Sequence, residues 1–167
     1  MTYPNEKVAR ELNDRFVPCK VESAKHPELA KRLAVRWLPG LAVIDSTDER
    51  PASIAIGFLP PEDLLAELTF GRAIAAMAQK RYDDAHALFR EIAENPTADR
   101  APEAYYWWGV SKYRQTKDLQ ASLLELWPNI LEKWPKSPWA RKVAFMRRFA
   151  KDTSTTSKVE VTRPPSS

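Results

Sequence analysis

Trp37-Leu38-Pro39-Gly40-Leu41-Ala42-Val43-Ile44-Asp45 sets the architecture of the first part of this chain. Leu41 to Ile44 is an unbroken apolar run, which predicts a strand covered on both faces. Asp48-Glu49-Arg50-Pro51 follows, a polar turn short enough for an antiparallel hairpin, and Ser53 to Phe58 then reads as the returning strand. Upstream, Pro27 opens a helix over 28–34, in keeping with proline's preference for a first helical turn. Before it, Phe16-Val17-Pro18-Cys19-Lys20-Val21 reads as a short strand, with Pro18 near its start, where a missing N–H is tolerated. Asn5 is the expected N-cap of a first helix carrying Val8, Leu12 and Phe16 on one side. Downstream, Pro60-Pro61-Glu62-Asp63 stops the second hairpin strand and starts a helix, with acidic side chains at its positive end.

From there to about Ala150 the pattern is helical, and Leu64, Leu65, Leu68 and Ala75 form an apolar stripe. The residues from Asp152 onward are rich in Ser, Thr and Pro, and a disordered tail is expected over 151–167. The organisation is therefore α/β followed by all-α, with units over 1–68 and 69–150 and that tail.

The 167 residues include 44% hydrophobic ones, ordinary for a globular protein, and the net charge is +4. No apolar run approaches the roughly 20 residues that span a membrane, so no membrane partner is expected. No basic-then-apolar leader is visible at Met1. Cys19 is the only cysteine. This excludes an internal disulfide framework and a cysteine-based zinc site, and a reducing, cytoplasmic setting is the default. Between Lys133 and Lys151 stand seven basic residues and no acidic one. No nucleic-acid motif accompanies them, so a solvated helix face is the preferred reading and a nucleic-acid partner is not expected.

The order helix, strand, helix, strand, hairpin, strand, helix over residues 1–68 resembles a thioredoxin domain without its first strand and Cys-x-x-Cys segment. In that family a cis-proline begins the third core strand and lies opposite the catalytic cysteines. The resemblance places Leu38 and Pro39 on the substrate side of such a site. The family usually has Thr after this proline, where this chain has Gly40. It also implies a central strand between Phe16–Val21 and Leu41–Ile44, so those two would face a gap one strand wide. Three arrangements would satisfy the unpaired backbone groups: the strands close up, another chain supplies the strand by self-association, or the chain is a truncated form of a longer one. Truncation is the preferred reading. Cys19 alone cannot support dithiol chemistry and is expected to be inert core.

Residues from about Phe70 to Val143 resemble tetratricopeptide-type helical hairpins. Ala73 and Ala85 are twelve residues apart, as are Gly109 and Ala121, and small residues are what closely crossing helices require. Pro128 falls inside the last helix of the second hairpin and cannot donate to the Leu124 carbonyl, so a kink is expected there. Five of the six tryptophans lie in this half. Most are expected as core, but the adjacent Trp107 and Trp108 cannot share one helix face, so one is a candidate for a groove. In the last helix Trp139, Val143, Met146 and Ala150 form a core stripe, with Phe145 and Phe149 off it.

His26 and His86 have no carboxylate or cysteine at ligand spacing and read as surface or capping residues. No phosphate-binding glycine loop, serine elbow or zinc-protease helix is present. No catalytic residue, metal or cofactor is therefore expected. The expected function is a protein-interaction module that binds a peptide or protein partner through a repeat groove at Tyr105, Trp108 and Lys112. The alternative is a thiol-disulfide oxidoreductase whose Cys-x-x-Cys lies upstream of Met1.

Overall fold

A computed structural model describes residues 5–147. Arg148, Phe149, Ala150, Lys151 and the tail expected over 151–167 lie outside the described residues. The order is helix α1 (Glu6–Arg15), helix α2 (Pro27–Arg32), strands β1 (Gly40–Ile44) and β2 (Pro51–Ile56), then helices α3 (Pro61–Ala78), α4 (Tyr82–Ala93) and α5 (Ala101–Thr116). A π-helical turn over Gln120–Leu124 and the short helices α6 (Pro128–Lys133) and α7 (Pro138–Lys142) complete it. The architecture is mostly helical, with one small antiparallel sheet ahead of the helices.

Local chemistry explains the helix starts. Asn5 Oδ1 accepts the backbone N–H groups of Lys7 and Val8 at 3.0 and 3.3 Å, occupying two donors that the first turn leaves free. Pro27, Pro61, Pro128 and Pro138 stand in first turns, where a missing N–H costs nothing. Glu62 and Asp63 on α3, and Asp83 and Asp84 on α4, lie at the positive helix ends.

The expected strand at Phe16–Val21 does not form. Among the described residues the sheet has two strands only, β1 and β2. Val17 is 97% exposed and Val21 43%, so neither finds a covering face. β-propensity stabilises a strand only through a neighbour, and none is beside this one. Cys19 is correspondingly exposed rather than core.

β1 and β2 pair antiparallel with Gly40 opposite Ile56, Ala42 opposite Ile54 and Val43 opposite Ser53, and a bulge follows Val43. The sheet's inner side carries Val43, which is buried with Val8, Leu64 and Leu68 from α1 and α3. Its outer side carries Gly40, Ala42, Ile44, Ile54 and Ile56, none of them fully buried. β1 is thus fully buried on one face only, with Val35 against the other at Gly40.

The helical part packs α3 on α4 and α4 on α5 around a second core that includes Phe70, Ala73, Ala85, Phe89, Ala104 and Ile130. Ala73 and Ala85 are wholly buried, as close helix crossing requires. The interruption at Pro128 is real and is preceded by an adjustment. The Glu125 N–H bonds to Gln120 O, a π-type contact, and Trp127 stands outside regular helix. Gly109 makes room for Trp127, since a Cβ there would stand 2.8 Å from the indole Nε1. Helix α7 ends at Lys142, and Val143, in the turn that follows, and Met146 are both buried in the core.

Candidate functional site

The hairpin exposes an edge that can be read residue by residue. Gly57 N–H donates to Pro39 O at 2.8 Å, and Asp45 N–H to Arg50 O at 2.9 Å. In an antiparallel ladder, alternate residues bond the partner strand, so Pro39, Leu41, Val43 and Asp45 face β2. The N–H and C=O groups of Gly40, Ala42 and Ile44 therefore point to the opposite edge, where no strand lies among the described residues. β1 carries no charge and no proline, the usual means of blunting an edge.

Large apolar side chains are exposed at the end of the hairpin where β1 begins and β2 ends. Trp37 is 74% exposed, Leu38 58% and Phe58 70%, and the Pro39–Gly57 bond holds the two ends of this patch together. The peptide bond between Leu38 and Pro39 is cis. Of the nine large apolar side chains exposed among the described residues, only Leu119 and Phe145 lie beyond Phe58. An exposed apolar patch of this kind marks an interaction surface more often than a single exposed leucine does.

The residues expected to line a groove lie on one face of α5, but that face is largely filled. Tyr105 is only 6% exposed. Its ring lies 5.0 Å from Trp108 and 5.7 Å from Trp134, and Lys133 Nζ stands 5.0 Å from its centre. Burial, then the Glu94 charge, pushes its hydroxyl pKa up. Tyr105 is thus a packing residue rather than a groove wall. Trp108 is half-buried and donates its indole N–H to His86 Nε2 at 3.3 Å. His86 is therefore half-buried and held against α5 rather than fully solvated. Indole N–H can only donate, so His86 Nε2 carries no proton and Nδ1 does, and Nδ1 is buried without a partner. Burial, then the Lys112 and Arg90 charges, hold this imidazole below its usual pKa, with Asp83 opposing. Lys112 is half-buried one turn beyond Trp108. Trp107 stacks on Phe89 with 6.5 Å between ring centres, and it too is half-buried.

A cavity of about 300 Å³ lies between α3 and α5, lined by Leu59, Asp63, Ala66, Glu67, Asp99, Arg100 and Glu103. Glu67 is 3% exposed and accepts two bonds from Arg100, at 2.6 Å from Nε and 2.9 Å from Nη2. Arg100 also bonds Glu103 at 2.5 Å and lies 4.6 Å over the Phe70 ring. Sequence reasoning missed this network, although Glu67 breaks the apolar register of Leu64, Leu68 and Gly71 and marks a charge on a core face.

Among the described residues, no three His, Cys, Asp or Glu side chains group so as to hold a metal ion, and no helix is long and apolar enough to cross a membrane. Comparison with protein-family models, with curated proteins and with solved structures yields no match.

Proposed function

We propose that the chain is a non-catalytic protein-interaction module whose principal contact surface is the hairpin, not the α5 face. The observation that carries this reading is the open edge of β1 together with exposed Trp37 and Leu38 before that strand and Phe58 after β2. An extended segment laid along that edge would satisfy the main-chain groups of Gly40, Ala42 and Ile44, and the apolar patch would hold its side chains. Leu38 and Pro39 keep the binding role that the thioredoxin resemblance suggests, without requiring cysteine chemistry. The repeat-like helices serve as the support that fixes the hairpin.

A random-peptide selection against the full chain tests this. Selected peptides should lose binding in Leu38→Ala and in Ala42→Pro, since proline removes an edge N–H that β2 does not use. They should keep it in Trp108→Ala. Loss in Trp108→Ala and Lys112→Ala alone would return the site to the helical groove. Recovery of no binding peptide would remove the peptide-accepting reading.

A further inference from the structure

We infer that the occupant of the β1 edge is β1 of a second copy of this chain, paired antiparallel about a two-fold axis at Ala42. The inference rests on the strand-accepting reading above and names its partner.

Three features of β1 are self-complementary. The first is the main chain: Gly40, Ala42 and Ile44 turn their N–H and C=O groups to the free edge, and a two-fold axis at the middle residue pairs all three at once. The second is size. That register sets Ala42 against its own copy and Gly40 against Ile44 of the second copy. Val35 already fills the space above Gly40, since a Cβ there would lie 2.5 Å from Val35 Cγ1. The incoming Ile44, 42% exposed in the single chain, would therefore pack on a valine rather than on a void.

The third feature is charge. Exposed Arg32 and Arg36 precede β1, and exposed Asp48 and Glu49 follow it, with Asp48 already paired to Arg50 at 3.6 Å so that, among the described residues, Glu49 supplies the unpaired acid. Antiparallel pairing brings the basic end of each strand to the acidic end of the other, twice in each dimer. Parallel pairing would set like charges together, which disfavours that alternative. The resulting sheet of four strands, in the order β2, β1, β1, β2, would leave only the two β2 edges free. Each of these begins with Pro51, a residue that resists further pairing.

Sedimentation of the full chain over a wide concentration range is the test. Wild type should form a concentration-dependent dimer that weakens as salt is raised. Ala42→Lys alone and Ala42→Glu alone each set like charges face to face on the axis and should weaken the dimer roughly tenfold or more. Mixing the two variants should restore a heterodimer, which a misfolded variant could not do. As a check free of substitutions, the amide protons of Gly40, Ala42 and Ile44 should exchange more slowly at high protein concentration than at low. A wild type that stays monomeric, or a dimer indifferent to both charges, overturns the inference. A monomer that still binds selected peptides at this edge would do so while leaving the interaction-module reading in place.

Discussion

Val43 on β1 presses on the backbone of Gly71 on α3, where a Cβ would stand 2.6 Å from the Val43 Cβ and 2.7 and 2.8 Å from its two methyls. This close approach seats the hairpin on the longest helix of the fold. Gly71→Ala sets two effects against each other. Alanine in a helix interior is favoured over glycine by about 1 kcal/mol. The clash meets a branched Cβ rather than the tip of a flexible chain, and overpacking of this kind costs about 1–3 kcal/mol. The clash should prevail. Urea unfolding should show a net loss of about 1–2 kcal/mol, and the hairpin amides should exchange faster.

The His86–Trp108 contact across α4 and α5 should make stability fall in mild acid. The unfolded imidazole titrates near 6.5, whereas the folded one lies below that value. Between the two the unfolded chain holds a proton that the folded chain does not, so stability rises with pH through this window. Below it, protonation of Nε2 would displace the Trp108 N–H beside the Lys112 and Arg90 charges. Denaturation midpoints measured from pH 8 to pH 5 should drop below about 6.5, and His86→Gln should flatten that part of the profile. An unchanged slope in the variant would assign the drop to other groups.

Asp45 ties the hairpin turn to the end of α3. Its Oδ1 accepts from the Thr47 N–H at 2.9 Å, the Thr47 hydroxyl at 2.8 Å and Gln79 Nε2 at 2.8 Å. The backbone bond from Thr47, followed by these side chains and the Arg81 charge, lowers its pKa against the opposing effect of burial. Stability is therefore present above the unfolded value of 3.8 and is lost as pH falls through the folded one. Asp45→Ala removes all three bonds and should cost about 2–3 kcal/mol at neutral pH. Asp45→Asn, which keeps an acceptor, should cost less and remove the titration below 3.8.

How much of this was legible in the sequence depended on whether the deciding contact was local. The Asn5 cap, the first-turn prolines, the polar turn before Pro51 and the break at Pro128 each follow from a residue acting on its own few neighbours. Phe16–Val21 has strand composition, but a strand exists only if another lies beside it, and the local sequence contains no such information. The exposure of Cys19 follows from the same missing neighbour. Tyr105, Trp108 and Lys112, expected in a groove, lie at helical spacing on one face of α5. What that face meets, namely His86, Trp134 and Lys133, is a matter of tertiary packing. Glu67 could have been suspected from its apolar register, yet its partner Arg100 is thirty-three residues away.

The Glu67–Arg100 pair separates a structural charge network from an incidental one. Glu67 is almost wholly buried, so removing its cation strands a carboxylate in a place that disfavours charge. Breaking a buried pair from one side costs about 3–5 kcal/mol. The lower end applies here, because the Arg100 side chain keeps 27% of its exposure and water can replace part of what is lost. Arg100→Met should therefore destabilise by about 3 kcal/mol. Arg100→Lys should recover only part of that, since an ammonium cannot bond both oxygens in the guanidinium's planar fork or stack as well on Phe70. Replacing both partners with Leu removes the stranded charge along with its cation and should be far milder than Arg100→Met alone. A thermodynamic cycle from urea unfolding of the four chains would show this as a coupling energy of about 2 kcal/mol or more. Additive losses would instead mean that the pair contributes nothing to holding α5 against α3.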